Sequence, residues 1–294
     1  MKLIVNKNSE LLEYLYENLD MPKKRVKQYL VHGSVYVGEE RVTKYNYPLI
    51  AGMKITIDTN SKNIKKLPFE VLFEDDHLIV VNKPSGLLTI ATENEKERTL
   101  YHIVRDYVIS KNPRSRIFVV HRLDKDTSGI VLFAKDEKTK NQLQENWNEY
   151  VSLREYTAIV SGHPKEESGQ IVQYLKETKT NLVYVGRNED GKKAITNYSV
   201  IKSSNHFSML RVVIETGRKN QIRVAFSSKK MPIVGDKKYG DRNKVNRLFL
   251  HANRLKVYYP VIKKDILFET SIPNEFKKFM DHDVVSVKSF GDFS

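Results

Sequence analysis

"HRLDKDTSGIVLFAK", residues 121–135, sets a run of polar and charged side chains directly against the apolar stretch Ile130–Ala134. Phe118, Val119 and Val120 precede it, so the segment reads as a buried strand, a polar loop, and a second strand covered on both faces. Taken alone, the loop has a plain reading: Asp126, Thr127 and Ser128 bond the backbone while Gly129 lets the chain turn into the next strand. A charged loop at the end of a buried strand is also where sites are commonly built.

Outward from this segment, strands are predicted at "HLIVVNK" (77–83), "EYTAIVSG" (155–162), "AITNYSVI" (194–201), "FSMLRVVIE" (207–215) and "RLFLHANRLKVYY" (247–259). Helices are predicted near 98–110, near 137–149 and over "NQIRVAFSSK" (220–229). Strands and helices do not alternate regularly, which predicts an α+β domain with a mostly antiparallel mixed sheet flanked by helices. Before it, Ser9 is placed to cap a helix carrying Leu11, Leu12, Leu15, Tyr16 and Leu19, Pro22 opens a second helix ending near Gly33, and "SVYVG" and "MKITID" alternate as half-buried strands. The expected organisation is therefore a small α/β domain over 1–58, a polar linker over 59–68, and a large domain over 69–294 whose tail beyond about Asp281 is loosely held.

The 294 residues carry a formal charge of +14, which points to a polyanionic partner, since Lys and Arg that neutralise phosphates gain affinity through counterion release. No apolar run approaches the roughly 20 residues of a spanning helix, and Asn6 and Lys7 interrupt the apolar stretch near the start, so a cytoplasmic protein with no membrane partner is expected. The absence of Cys excludes disulfides, thiolate zinc sites and a cysteine nucleophile within these residues. No nucleotide-binding glycine loop, dinucleotide fingerprint or metal-ligand spacing is present, so no metal and no cofactor are expected.

Within the loop, Asp124 needs a partner to be more than a surface carboxylate. "ETGRKNQIRV" (215–224) offers Arg218 in a turn and Arg223 in the first turns of a helix, and a guanidinium beside Asp124 would orient it and lower its pKa. A structural ion pair would look the same in sequence. On the first domain, Lys23, Lys24, Arg25 and Lys27 cluster on the second helix; such a cluster is either a solvated face or a phosphate-contacting surface.

"HRLDKDTSGIVLFAK", with "VVNKPSGL" (80–87), "REYTAIVSG" (154–162), "TGRKNQIRV" (216–224), "PIVGDKKYG" (232–240) and "LFLHA" (248–252), resembles the RluA-type RNA pseudouridine synthases, block by block and in the same order over most of 69–260. The helix-rich start, "YLVHGSVYVGEERV" and "PLIAGMKITID" resemble the alpha-L RNA-binding motif, with Val37-Gly38 where an Asn-Gly turn is common. The first resemblance implies the pseudouridine synthase fold and an isomerase that breaks the bond between ribose and the uracil nitrogen, turns the base and rejoins it through carbon five. It implies catalysis by Asp124, Tyr156 and Arg223, an apolar pocket residue at Ile222, and RNA as partner: large-subunit ribosomal RNA first, tRNA as the alternative; the net charge favours a monomer that meets a large RNA. His121, Arg122, Lys83 and Arg218 are expected to contact the substrate, and Lys23, Lys24, Arg25 and Lys27 to bind RNA. Asp124 could attack as a nucleophile, stabilise positive charge on the sugar, or shuttle a proton. Tyr156 would stack on the target base; without the resemblance it reads as a core strand tyrosine. The chain departs from the family pattern at Asn220 and Ala225, where His is common, and at Arg154, where Lys is usual. A non-catalytic RNA-binding assembly factor on the same fold, or a nucleosidase releasing free uracil, are the rival readings.

Overall fold

The computed structural model describes residues 1–31, 33–58, 66–93, 95–187, 190–240 and 245–288, apart from the side chains of 284–288. Met1–Lys66 with Asp106–Arg114 form one compact unit, and Leu67–Arg105 with the chain from Ser115 onward form the other. Most of the predicted linker, 59–65, lies outside the described residues.

The first unit runs β1 (Lys2–Ile4), β2 (Ser9–Glu10), α1 (Leu11–Asn18), α2 (Lys23–Val31), β3 (Val35–Val37), β4 (Glu40–Arg41), β5 (Pro48–Leu49) and β6 (Lys54–Ile57). Strand β6 lies between β1 and β3, β4 extends the sheet beside β3, and β2 pairs with β5. The two helices bury Leu11 and Leu15, and Val26 and Leu30, each pair one helical turn apart, against Val35, Ile55 and Ile57. This leaves Lys23, Lys24, Arg25 and Lys27 exposed on the remaining surface of α2. The predicted cap at Ser9 is not made. Ser9 pairs with Leu49 in the β2–β5 ladder, and Glu10 stands at the N-cap without a side-chain bond, so strand pairing outcompetes local capping here.

The second unit contains β7 (Val71–Glu74), β8 (Leu78–Lys83), α3 (Leu100–Lys111), β9 (Phe118–Val119), β10 (Ser128–Ala134), α4 (Glu137–Glu145), α5 (Trp147–Tyr150), β11 (Val151–Ser161), β12 (Ser168–Glu177), β13 (Val183–Val185), β14 (Lys192–Ser203), β15 (Phe207–Ile214), α6 (Gln221–Ser228), β16 (Leu250–Tyr259), β17 (Lys264–Glu269) and α7 (Asn274–Lys288). Helix α3 runs across the boundary between the units' residue ranges. The strands form one sheet in the order β13-β12-β14-β15-β11-β16-β10-β8-β7, with β9 beside β10 and β17 beside β16. Among the described strand pairs of this sheet, only β10–β16 is parallel, which bears out the predicted α+β class and mostly antiparallel sheet.

All seven residues of β10 are buried, as the apolar run predicts. Where β10 meets β16, Gly129 lies opposite Ala252 with φ +119°, and a Cβ there would fall 2.2 Å from the Ala252 carbonyl oxygen. Only glycine lets the two backbones approach this closely. The polar loop 120–127 is thereby anchored where the chain enters β10, inside the sheet between β16 and β8.

Of the tail expected to be loosely held beyond about Asp281, residues 289–294 lie outside the described residues, while 282–288 continue a helix. Helix α7 continues past Asp281, with Phe276 and Met280 fully buried and Phe276 and Phe279 against Phe249. Asp283 accepts hydrogen bonds from the His206 backbone N–H (2.9 Å) and ring Nδ1 (2.9 Å), tying the helix to the β14–β15 turn.

Candidate active site

Asp124 lies in the loop leading into β10, and a neighbouring loop holds this one down at several points. Thr89 Oγ1 donates to the Leu123 carbonyl at 2.8 Å and accepts from the Leu123 N–H at 3.2 Å. Ser85 Oγ donates to the Asp126 carbonyl at 2.6 Å, and the Gly86 N–H to the Lys125 carbonyl at 3.0 Å. Lys83, fully buried at the end of β8, donates from Nζ to the carbonyls of Pro84 (3.0 Å), Leu87 (2.7 Å) and Lys125 (2.9 Å). Burial pushes its pKa down to about 7, opposed by Asp126 and Asp124. Only an ammonium can donate to three carbonyls, so this arrangement belongs to the charged side chain. Lys83 was expected to contact substrate; with no exposed surface and all three protons committed, it fastens the two loops together instead.

Tyr156 enters from β11, opposite Val212 on β15 and Ala252 on β16, at a register shift between Glu155 and Tyr156. Such an irregularity re-aims a strand side chain, here into the same cavity as Asp124. Burial pushes the phenol up to about 12, so it is neutral at physiological pH.

Arg223 comes from α6. Asn220 precedes this helix at φ +53°, a conformation Asn tolerates better than most residues. Gln221 pins the turn: its Oε1 accepts from Thr216 Oγ1 (2.8 Å) and the Arg218 N–H (3.0 Å), and its Nε2 donates to the Ile195 carbonyl (2.9 Å). Arg223 Nη1 stands 3.7 Å from Asp124 Oδ2, an ion pair without a direct hydrogen bond. Its short contacts go elsewhere. Nε and Nη2 donate to the two oxygens of Asp236, both at 2.8 Å, and Nη1 donates to Asn220 Oδ1 at 3.1 Å.

The cavity encloses about 480 Å³ including its open mouth; Ile214, Ile222 and Leu250 supply an apolar wall, and the exposed Arg122 and Arg218 stand at its rim. Asp124, with 29% of its side chain exposed, is the carboxylate facing this space. Its pKa is raised by burial, against the pull of Arg223, Arg122, Lys83 and Lys238. The sequence predicted a lowered value. That expectation fails because Arg223 gives its short hydrogen bonds to Asp236 and Asn220, leaving desolvation of Asp124 the larger effect.

The structure thus brings together Asp124, Tyr156, Arg223, Arg122, Ile222 and Arg218. It does not bring His121 to the substrate space. The His121 ring stacks on Trp147 at 4.9 Å between centroids, and its Nε2 accepts the Leu132 N–H at 3.1 Å. Burial pushes its pKa down to about 4, in agreement with a nitrogen that must keep its lone pair. The unfolded chain therefore binds a proton between about pH 6.5 and 4 that the folded one refuses, and stability falls as pH drops through that window. The thermal midpoint of the wild type is expected to fall more steeply across it than that of His121→Gln, which keeps an acceptor but cannot titrate; identical slopes in a pH series of melts would remove His121 as the cause.

Sequence reasoning missed Asp236, Asn220 and Tyr239. Asp236 is fully buried, and its Oδ1 also accepts the backbone N–H groups of Lys238 (3.0 Å) and Tyr239 (3.1 Å). Tyr239 accepts Asn220 Nδ2 at 3.0 Å, and its ring lies 5.2 Å from the Arg223 guanidinium carbon. The block "PIVGDKKYG" carried the signal, but its Gly-Asp-Lys-Lys composition reads as an exposed turn.

A mixed sheet thus carries a carboxylate, a tyrosine and an arginine into one cavity, the set that the resemblance implies for an RNA-base isomerase. The structure superposes on human RNA pseudouridylate synthase domain containing 4 with a TM-score of 0.58 at 24% identity, covering 70% of this chain and 90% of that one. Residues 77–228, just over half of the chain, match the RNA pseudouridylate synthase family. The chain belongs to that family, in its RluA-type branch, and is an isomerase that converts uridine to pseudouridine in RNA. An uncharacterized RNA pseudouridine synthase of Bacillus subtilis, YhcT, is 27% identical over 288 residues, covering 94% of this chain and 95% of the relative. Ribosomal large subunit pseudouridine synthase D of Salmonella typhimurium is 28% identical over 284 residues, covering 89% and 86%.

Proposed function

We propose that this chain isomerises uridines in large-subunit ribosomal RNA, with Asp124 as the acting carboxylate, Tyr156 against the target base and Arg223 holding Asp124. The observation that carries the reading is the meeting of these three side chains, from a loop, a strand and a helix, in one cavity with an apolar wall and an arginine rim. Isomerisation exchanges the ribose bond from the uracil nitrogen to carbon five and transfers a proton from that carbon to the nitrogen, with no net redox change. Asp124 serves either at the sugar, by attack or charge stabilisation, or as proton carrier; burial raises its pKa, which favours holding a proton, whereas attack and charge stabilisation need the ionised form. Ile222 and Leu250 would pack on the base, and Arg122 and Arg218 would meet the flanking phosphates of an extruded nucleotide.

Ribosomal RNA is favoured over tRNA by the relatives named as large-subunit synthases and by a basic first unit suited to a large structured RNA. The four exposed cations of α2 would contact phosphates without reading sequence. Replacing Lys23, Lys24, Arg25 and Lys27 together by Gln is expected to weaken RNA binding and to flatten the plot of log affinity against log salt by about 0.7–0.9 for each phosphate that is no longer neutralised. A salt slope equal to the wild type's would make that face a solvated one.

The test of function is to incubate the protein with ribosomal and transfer RNA from a strain lacking it and to map pseudouridine. New pseudouridine in 23S-type RNA supports the target assignment, and modification confined to tRNA transfers the assignment there. Binding without modification favours the assembly-factor reading, and release of free uracil the nucleosidase.

A further inference from the structure

We propose that Asp236 is a positioning residue: its buried carboxylate grips one edge of Arg223, and so aims the other edge at Asp124. The inference rests on the reading of Asp124 as the acting carboxylate.

A guanidinium has five N–H donors in a rigid plane. Asp236 takes the Nε donor and one Nη2 donor at 2.8 Å each, and Asn220 takes one Nη1 donor at 3.1 Å. The remaining donors on Nη1 and Nη2 are the ones left for Asp124, whose Oδ2 stands 3.7 Å from Nη1. The grip is itself held firmly. Asp236 has no exposed side-chain surface, and two backbone N–H groups of its own turn donate to its Oδ1. Gly235, at φ +80°, sets the entry to that turn where a Cβ would strike the Arg247 carbonyl. Tyr239, from the same turn, then bonds Asn220, so the turn reaches Arg223 by a second route.

This arrangement separates two jobs that one carboxylate could not perform together. Asp236 neutralises the buried guanidinium and fixes its plane, so Arg223 need not close on Asp124 to satisfy its charge. Asp124 stays close enough to be steadied yet free to change its bonding partner during the reaction. The charged and titratable groups facing Asp124 are Arg223 from α6, Arg122 from its own loop, Lys83 from β8, Lys238 from the Asp236 turn and Tyr156 from β11. Removing the Asp236 charge makes the positive side of this balance heavier. Arg223, without its anion, is drawn onto Asp124.

The test uses the full-length Asp236→Asn protein on in vitro transcribed target RNA, with kcat and KM measured over a pH series. The expected result is a fall in kcat of about 10- to 100-fold with KM changed less than about threefold, together with a shift of the acid limb to lower pH. A purely structural Asp236 would lower the folded fraction and leave the acid limb of the folded enzyme in place, and that outcome overturns the proposal. If Asp236→Asn does not fold, Asp236→Glu decides: it keeps the charge but moves the carboxylate by one methylene, and is expected to lower kcat about 3- to 10-fold with KM changed less than about threefold. Wild-type kcat and an unmoved acid limb in folded Asp236→Glu would then overturn the proposal. Activity of Asp124→Asn is measured alongside. If that variant still turns over, the reading of Asp124 fails; if it is inactive while the Asp236→Asn profile is unmoved, only the positioning role fails.

Discussion

Asp124→Asn is expected to abolish pseudouridine formation, with a fall in rate of about 10⁴-fold or more, while the protein stays folded and still binds RNA. The amide is close in shape to the carboxylate but can neither attack the sugar, nor carry negative charge, nor take up a proton at ordinary pH. The fold should tolerate the change because Asp124 makes no short hydrogen bond to Arg223. The guanidinium keeps both bonds to Asp236 and one to Asn220. A change in stability within about 1 kcal/mol is therefore expected. Mapping pseudouridine after prolonged incubation, beside a melting curve and an RNA-binding isotherm, checks all three parts. Residual turnover within tenfold of the wild type would end the assignment of Asp124.

The second large effect falls on folding. Gly129→Ala is expected to destabilise the protein by about 4 kcal/mol or more, the range reserved for a few severe mechanisms. Two of them act together at this position. The backbone sits at φ +119°, where an L side chain is strained by roughly 1–3 kcal/mol, and the new methyl would lie 2.2 Å from the Ala252 oxygen and 2.6 Å from its nitrogen. Those are backbone atoms of a neighbouring strand and cannot step aside without parting β10 from β16. Gly86→Ala is the control: its φ is +82°, but nothing lies within 4 Å of the added methyl, so only the milder backbone cost applies. Thermal melts of the two variants should differ by about 8 °C or more. Equal midpoints would mean that the β10–β16 approach can relax.

The sequence announced some of this architecture well and some not at all, for reasons that differ by residue. Strand β10 was legible because a strand covered on both faces needs an unbroken apolar run, and helix α6 because Ile222, Ala225 and Phe226 recur at helical spacing. Strands β12, β13 and β17 were missed, and so was the four-residue β7. The first three lie toward the sheet's edges, and their interleaved polar residues match a solvated face as well as a loop. The meeting of Asp124, Tyr156 and Arg223 was legible through family resemblance. Spacing alone left each of them with an ordinary structural reading. Asp236 stayed hidden since burial of a carboxylate in a Lys-rich turn depends on an arginine thirteen positions earlier in the chain swinging beneath it. Lys83 and His121 erred in the opposite direction. Both lie in blocks that carry the family pattern, and both are committed to backbone groups of neighbouring segments that no local pattern reveals.

The fastening of the Asp124 loop by Lys83, Ser85, Gly86 and Thr89 also bears on how RNA binding energy is used. Extruding a nucleotide from its stack costs roughly a few kcal/mol. An enzyme whose loop became ordered only on contact would lose further affinity to conformational entropy at the same moment. Here that ordering is completed when the chain folds, through contacts made wholly by the protein. Under the proposed reading, phosphate contacts at the rim can then go almost entirely into opening the RNA, and the enzyme can accept a target that is itself rigid.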